Sequence, residues 1–335
     1  MKSILVTGGA GYIGSHTAVA LHNAGFKPVI VDNFSNSEKE VIPKIEQIIK
    51  SAVIFYEGDC NDADFMNRVF DEQDIAGVIH FAAYKAVGES TEKPLKYYKN
   101  NILSLITLLE VMGNHDCKDV VFSSSCTVYG QPEKLPVKES TPRQDAESPY
   151  GNTKKICEDI LTDHIKSGAD SRIIALRYFN PIGAHPTALI GELPKGVPAN
   201  LVPFVTQTAA GIRKQLTVFG DNYNTPDGTA IRDYIHVMDL ADAHVKAIEF
   251  LHQQTPQTFD VFNVGTGNGN SVLEVVKSFE DVTGVNLNYT IGKRRAGDIE
   301  QVWADTEKIF SELDWRPKFD LKDALRDAWK WQQTL

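Results

Sequence analysis

The amino-acid sequence predicts an α/β protein: a doubly wound parallel sheet joined to a smaller, mixed α/β lobe. Short β-branched runs alternate with helical patterns from the first residues onward. Those runs are apolar almost throughout, as in Val78-Ile79-His80-Phe81-Ala82-Ala83, which suits strands covered on both faces. The texture changes after about residue 180, where Pro181, Gly183, Pro186, Gly191, Pro194, Gly196 and Pro198 crowd a loop-rich stretch.

Strands are expected at residues 4–6, 29–31, 53–56, 78–81, 120–123 and 173–176, each short and rich in Val and Ile. Helical spacing occupies 12–24, 101–112 and 150–166, and Gly25 follows the first of these at the left-handed cap position. Strand and helix patterns return at 234–237 and 240–251. The expected division is one unit of residues 1–180 plus 231–263 and a second of 181–230 plus 264–335.

The 335 residues are enough for one large α/β unit and a smaller one, and 42% hydrophobic with 23% charged residues describes an ordinary globule. A formal net charge of −10 argues against a nucleic acid or an anionic membrane as partner, though a local basic pocket can still bind a small anion. Cys60, Cys117, Cys126 and Cys157 form no C-x-x-C pair, so neither a metal site nor a redox motif is expected. Their spread suits free thiols in a reducing, cytoplasmic setting. The first residues are too short and glycine-rich a run for a secretion signal, and no apolar run approaches the roughly 18 residues of a membrane span.

The first strand runs into Thr7-Gly8-Gly9-Ala10-Gly11-Tyr12-Ile13-Gly14. Glycines spaced G-x-x-G-x-x-G allow a tight turn, close approach of a pyrophosphate to the backbone, and close helix–strand packing. The free N–H groups of the following helix then face the phosphates, as in a Rossmann-type dinucleotide site. Asp32 ends the second strand, where a carboxylate accepts from adenosine ribose hydroxyls. It would repel a 2′-phosphate, and Asn33 brings no compensating charge, so NAD is favoured over NADP. Asp59 follows the third strand, where it serves equally as an adenine partner or as an ordinary loop carboxylate.

Ser148-Pro149-Tyr150-Gly151-Asn152-Thr153-Lys154 opens a helix: Ser148 suits the N-cap and Pro149 the first turn. Tyr150 and Lys154 then lie one turn apart on one face. Lowering a phenol's pKa from ~10 to ~7 takes about 4 kcal/mol, which a nearby ammonium and a positive nicotinamide can supply in a dry site. Ser125 ends the fifth strand, at the ligand edge of an open sheet, placed to bond an oxygen that becomes anionic. Gly265-x-Gly267-x-Gly269 mimics a second glycine fingerprint but reads as a decoy loop.

From about Ile4 to Trp331 these residues resemble the extended short-chain dehydrogenase/reductase family and, within it, the UDP-galactose 4-epimerases. The segments that carry the likeness are 8–15, 78–81, Lys85-Ala86-Val87-Gly88-Glu89-Ser90, 122–130, Arg177-Tyr178-Phe179-Asn180-Pro181, 228–242 and 263–271. The resemblance implies that Gly8, Gly11, Tyr12, Ile13, Gly14, Asp32, Asn33, Phe34, Ser35, Asn36, Ser37, Asp59, Cys60, Phe81, Ala82, Ala83, Tyr84, Lys85, Asn100, Ser125, Tyr150, Lys154 and Phe179 contact NAD. It implies that Asn180, Asn200, Leu201, Phe219, Arg232, Arg295 and Asp298, with Lys85, Ser125, Tyr150 and Phe179, hold a UDP-sugar. Arg232 and Arg295 are also the charge type that clamps a diphosphate. Ala83-Tyr84 replaces a common Gly-Leu or Ala-Leu pair, so sugar-side packing is expected to differ. Val302 stands at a pocket wall where tyrosine would restrict the pocket to unmodified hexoses, so UDP-N-acetylhexosamines are expected to fit as well.

The implied activity is reversible C4 epimerisation of UDP-galactose and UDP-glucose, in galactose metabolism, through a 4-keto sugar with transient hydride transfer to bound NAD. Tyr150 moves the proton, Lys154 lowers its pKa and holds the nicotinamide ribose, and Ser125 bonds the reacting oxygen. The resemblance implies a homodimer too; the apolar residues on more than one face of the helices at 101–112 and 150–166 suit either core packing or such a helical seam. Two rivals remain at this point. A nucleotide-sugar 4,6-dehydratase or decarboxylase is one, although Cys126-Thr127-Val128-Tyr129 lacks the carboxylate a dehydratase needs. A non-catalytic NAD sensor is the other.

Overall fold

The structure, a computed structural model, describes residues 1–295 and 298–335. The chain begins β1 (Ser3–Thr7), α1 (Tyr12–Asn23), β2 (Lys27–Asp32), α2 (Val41–Ile49), β3 (Ile54–Glu57), α3 (Ala63–Glu72) and β4 (Ile75–His80). It continues through α4 (Val87–Glu92), α5 (Pro94–Asn114), β5 (Asp119–Ser125), a 3-10 turn (Cys126–Tyr129), α6 (Pro149–Lys166) and β6 (Arg172–Tyr178). Then come β7 (Asn180–Ile182), α7 (Leu201–Ala209), β8 (Leu216–Phe219), β9 (Ile231–His236), α8 (Val237–Leu251) and β10 (Thr258–Val264). The last elements are β11 (Gly269–Ser271), α9 (Val272–Thr283), β12 (Tyr289–Gly292), β13 (Gln301–Val302), α10 (Glu307–Glu312) and α11 (Leu321–Gln332).

Seven strands form an all-parallel sheet in the order β10-β6-β5-β4-β1-β2-β3. The order reverses between β1 and β4, and the crevice at their carboxyl ends is where such sheets take a ligand. One face is sealed by Phe65, Met66, Leu105, Leu108 and Leu161, from α3, α5 and α6. The other is sealed by Leu21 of α1 with Leu240, Ile248 and Leu251 of α8. Both faces are dry, which is why the strands read as continuous apolar runs.

The smaller lobe is built around β9, which pairs parallel with β7 and β13 and antiparallel with β11. A separate parallel pair joins β8 to β12. Val205, Val275, Val276, Phe279 and Leu325 fill its core.

The six expected strands are all present, with ends moved by one to three residues. Phe81 lies just past β4 rather than within it, and β10 was not anticipated. The strand expected at 234–237 starts earlier, at Ile231, and Val237 already opens α8 because His236 caps that helix by accepting from Met238 N at 3.0 Å. Residues 231–263 therefore bridge the two lobes, β9 pairing in the small sheet and α8 packing on the large one. Among the described residues no helix is long and apolar enough to cross a membrane, and no His/Cys/Asp/Glu cluster could hold a metal ion.

Candidate active site at the carboxyl edge of the large sheet

The turn from β1 to α1 is built by glycine where sterics demand it. Gly8 has φ +67°, and a Cβ on it would stand 3.0 Å from the Ala82 backbone. A Cβ on Gly14 would lie 2.4 Å from the Gly8 carbonyl oxygen, so the helix can start this close to the strand only without side chains. Gly11 is the N-cap and has no side chain to bond the first turn, which leaves that turn's N–H groups for an anion. This is a cradle that fits a pyrophosphate.

Asp32, at the end of β2, accepts from Ala10 N at 3.0 Å, Phe34 N at 2.8 Å and Ser37 Oγ at 2.8 Å. A carboxylate offers about four acceptor directions, so one remains for a ribose hydroxyl. Phe34, at φ +53°, bends the loop that carries Asn33, Ser35, Asn36 and Ser37 around this carboxylate. Asn33 Nδ2 reaches Asp59 at 3.3 Å, and Cys60 is buried behind it. From Asp59 a polar chain runs along the cleft. Asn61 Nδ2 donates to Asp59 at 2.6 Å and to Asn100 Oδ1 at 3.3 Å, and Asn100 Nδ2 donates to Asn101 Oδ1 at 3.0 Å. Asn101 Nδ2 then donates to Thr153 Oγ1 at 3.1 Å, and Thr153 donates to the Tyr150 carbonyl at 2.7 Å. Asp59 and the Tyr150 carbonyl are thus tied through one hydrogen-bonded line.

At the far end, Ser148 caps α6 by accepting from Gly151 N at 3.2 Å, and Pro149 occupies the first turn, as the sequence requires. Burial pushes the Tyr150 phenol well up; the neighbouring Tyr178 adds to this and the Ser125 hydroxyl opposes it. Lys154 bonds the backbone of β5. Its Nζ donates to the Ser123 carbonyl at 2.6 Å and lies 4.9 Å from the centre of the Phe122 ring. Burial lowers its pKa to about 8. In the protein by itself burial dominates the Tyr150 phenol, which leaves the lowering of its pKa to the expected combination of the Lys154 ammonium and a positive nicotinamide.

Below the strand ends lies a second polar layer. Arg177 forks onto Glu158 (Nε–Oε1 2.8 Å, Nη2–Oε2 2.6 Å), Ser124 donates to Glu158 at 2.6 Å, and Arg177 reaches Tyr129 at 3.0 Å. This layer locks the backbone that carries Ser125.

The remaining residues line the small lobe. Asn180 begins β7, Asn200 caps α7 and Leu201 starts it, Phe219 ends β8, Arg232 lies on β9, and Val302 ends β13. Arg232 pairs with Asp298 at 2.5 Å, and the Arg295 guanidinium sits 4.9 Å over the Phe219 ring. Phe179 and Val302 share a cluster with Cys126 and Ile299, joining the two lobes behind Ser125. Lys85 Nζ (3.3 Å) and Asn200 Nδ2 (2.6 Å) both bond one oxygen of Glu192. Phe81 and Ala82 form the backbone opposite Gly8, and Ala83 follows them in the same loop. Tyr84 turns its ring toward Tyr97 (5.7 Å) and the Lys96 ammonium (4.1 Å) of α5, so its bulk packs on the large unit.

The glycines at 265, 267 and 269 cradle no ligand phosphate. The Asp233 carboxylate fills that loop, accepting from Thr266 N at 2.8 Å, Gly267 N at 3.0 Å and Ala304 N at 3.2 Å. Glu192, Asn101 and the Glu158–Arg177 pair escaped the sequence reading. A buried asparagine on the apolar face of a helix was the one available signal, at Asn101.

Comparison with known proteins agrees with this geometry. A family model described as GDP-mannose 4,6 dehydratase matches residues 5–328. The chain is 49% identical over 333 residues to UDP-glucose 4-epimerase 2 of Arabidopsis thaliana, covering 98% of this chain and 95% of that protein. The solved UDP-glucose-4-epimerase from Stenotrophomonas maltophila, with bound NAD and formylated UDP-arabinopyranose, has a TM-score of 0.97 at 47% identity, covering 100% of this chain and 98% of that one. The UDP-glucose 4-epimerase from Bifidobacterium longum, in complex with NAD+ and UDP, has a TM-score of 0.95 at 46% identity, covering 99% and 98%.

Proposed function

The chain belongs to the UDP-glucose 4-epimerase family, within the broader group of the matching dehydratase model, and on that premise we propose how its residues divide the work. The enzyme interconverts UDP-galactose and UDP-glucose and uses NAD. The observation that carries the reading is the meeting, at one sheet edge, of the glycine cradle, Ser125 and Tyr150, with the Arg232–Asp298 pair and Arg295 on the opposing lobe.

Gly8, Gly11, Tyr12, Ile13 and Gly14 would hold the NAD pyrophosphate. Asp32 and the 33–37 loop would hold the adenosine ribose, Asp59 and Cys60 the adenine, and Phe81–Lys85, Asn100, Lys154 and Phe179 the nicotinamide half. Oxidised NAD, when bound, supplies the hydride acceptor and a positive ring beside the phenol. Tyr150 Oη takes the proton of the sugar 4-hydroxyl and later returns it. Ser125 Oγ bonds that oxygen as charge develops on it. Asn180, Asn200, Leu201, Phe219, Arg232, Arg295 and Asp298 anchor the UDP, leaving the oxidised sugar free to turn its other face. Val302, smaller than tyrosine, leaves room for a 2-acetamido group, so UDP-N-acetylhexosamines belong to the substrate range.

The residues argue against dehydration despite the name of the matching family model. Cys126–Tyr129 carries no carboxylate, and the buried Glu158 is consumed by Arg177 and Ser124. We further propose that residues 1–180 plus 231–263 form the NAD-binding unit and 181–230 plus 264–335 the nucleotide-sugar unit, with β9 and its Arg232 reaching out of the first unit to pair in the sheet of the second. Homodimerisation is proposed through α5 and α6, where Leu103 and Ile106 are exposed and Ile106, Leu109 and Ile160 line a shared groove. Four free cysteines support a reducing cytoplasm as the site of action.

Purified protein given UDP-galactose without added NAD tests the whole reading. Formation of UDP-glucose is expected. A deoxy-keto sugar would instead identify a dehydratase, and no turnover would leave only a sensor.

A further inference from the structure

We propose that the Tyr223 hydroxyl is an additional hydrogen-bond donor to the substrate's diphosphate, completing the clamp of Arg232 and Arg295; this rests on the epimerase reading above. Tyr223 is 6% exposed, and its hydroxyl is buried without a hydrogen-bond partner among the described residues. Buried hydroxyls are rarely left unmade, so an orphan beside a binding site calls for a partner the ligand can bring.

The ring cannot easily turn to find another. On one side it covers Gly220, where a Cβ would stand 2.6 Å from a ring carbon. On the other the Arg294 guanidinium lies 4.0 Å from its centre, itself held by Asn222 Oδ1 at 2.7 Å. The backbone is pinned as well: Tyr223 N donates to Gly228 O at 2.9 Å, and Tyr223 O accepts from Thr225 N at 2.8 Å.

The charges around the phenol are those of the UDP clamp. Burial comes first in raising its pKa, the Asp298 carboxylate next, and the Arg294, Arg232 and Arg295 guanidiniums oppose them. The phenol therefore stays protonated and donates. Asp298 is already taken by Arg232, at 2.5 Å. The Arg295 guanidinium sits 4.9 Å over Phe219, the residue before the Gly220 that the Tyr223 ring covers, so an anionic oxygen held by that guanidinium is an acceptor the neighbouring hydroxyl can share.

The test is Tyr223→Phe in the NAD-loaded enzyme, with binding of UDP and of uridine measured by calorimetry beside steady-state kinetics. Loss of a hydrogen bond to a charged oxygen should weaken UDP by roughly tenfold or more and raise KM for UDP-galactose alike, with kcat within about twofold. Uridine affinity and NAD content should be unchanged. Without ligand the variant should melt at or above the parent temperature, because an orphan hydroxyl is removed; a hydroxyl with a structural role would lower it. UDP affinity within about twofold of the parent overturns the proposal, as does an equal loss for uridine, which would place the bond on the nucleoside. Calorimetry needs no turnover, so a parent enzyme that binds UDP but makes no UDP-glucose would count against the epimerase reading alone.

Discussion

The Lys154 ammonium donates to the Ser123 carbonyl at 2.6 Å, one residue pair beneath Ser125 and one helical turn beyond Tyr150. A cation with no carboxylate on it, in a dry site, is expensive for the fold. Burial lowers the Lys154 pKa to about 8, below its unfolded value of 10.5. The unfolded chain thus binds more protons between those two values, and stability rises with pH across that window. Below pH 8 the full penalty, on the order of 3 kcal/mol, applies.

Replacing Lys154 by methionine should therefore stabilise the dinucleotide-free protein at pH 7 by ~1–2 kcal/mol, after the lost Ser123 hydrogen bond is counted. The gain should vanish above about pH 10.5. Urea unfolding at the two pH values checks the sign. Epimerase activity should fall by roughly 10²–10⁴ in the same variant.

Tyr150 gives a second pH signature. Burial pushes its phenol up, so the base form is favoured only when an added positive charge compensates. The acid limb of the rate profile should belong to this group, with activity rising as pH rises. Phenolate absorbance should appear at lower pH with oxidised than with reduced dinucleotide, and Tyr150→Phe should abolish that difference. The Phe variant should lose roughly 10²–10⁴ in kcat with little change in KM.

Val302 is 3% exposed and packs with Phe179 and Cys126, at the position proposed as the wall of the sugar pocket. Val302→Tyr should lower the rate on UDP-N-acetylgalactosamine relative to UDP-galactose by about tenfold or more, the scale of a small steric contact. An unchanged ratio would refute the wall role.

Glu192 joins Lys85 of the cofactor side to Asn200 of the substrate side, and its side chain is only 11% exposed. Glu192→Ala should both raise KM for UDP-galactose and quicken dinucleotide loss on gel filtration. By contrast, Lys195, which pairs with Glu38 at 3.3 Å while 43% exposed, should change either by less than about twofold when cut to alanine.

The Arg177–Glu158 pair is 6% and 2% exposed. Arg177→Met leaves the buried Glu158 carboxylate with only the longer Arg143 contact, at 3.4 Å, and the Ser124 hydroxyl, and should cost about 3 kcal/mol in chemical denaturation. Glu158→Gln with Arg177→Met should recover part of that loss, since the buried charge is gone.

Much of this molecule is legible along the chain. The strand–helix alternation, the glycine turn, the Asp32 position and the Ser148-Pro149 helix start are all encoded by neighbours a few residues apart, and each folds where its local chemistry places it. The spacing of Tyr150 and Lys154 on α6 is set in the same way. What the ammonium of Lys154 touches, which carboxylate fills the second glycine loop, where the ring of Tyr84 packs and why Tyr223 keeps an unmade bond depend on partners up to 75 residues distant. Local periodicity determines backbone conformation because its hydrogen bonds and side-chain faces repeat within a few residues. Long-range partners are chosen only once two buried surfaces meet, and nothing in either segment alone specifies the other.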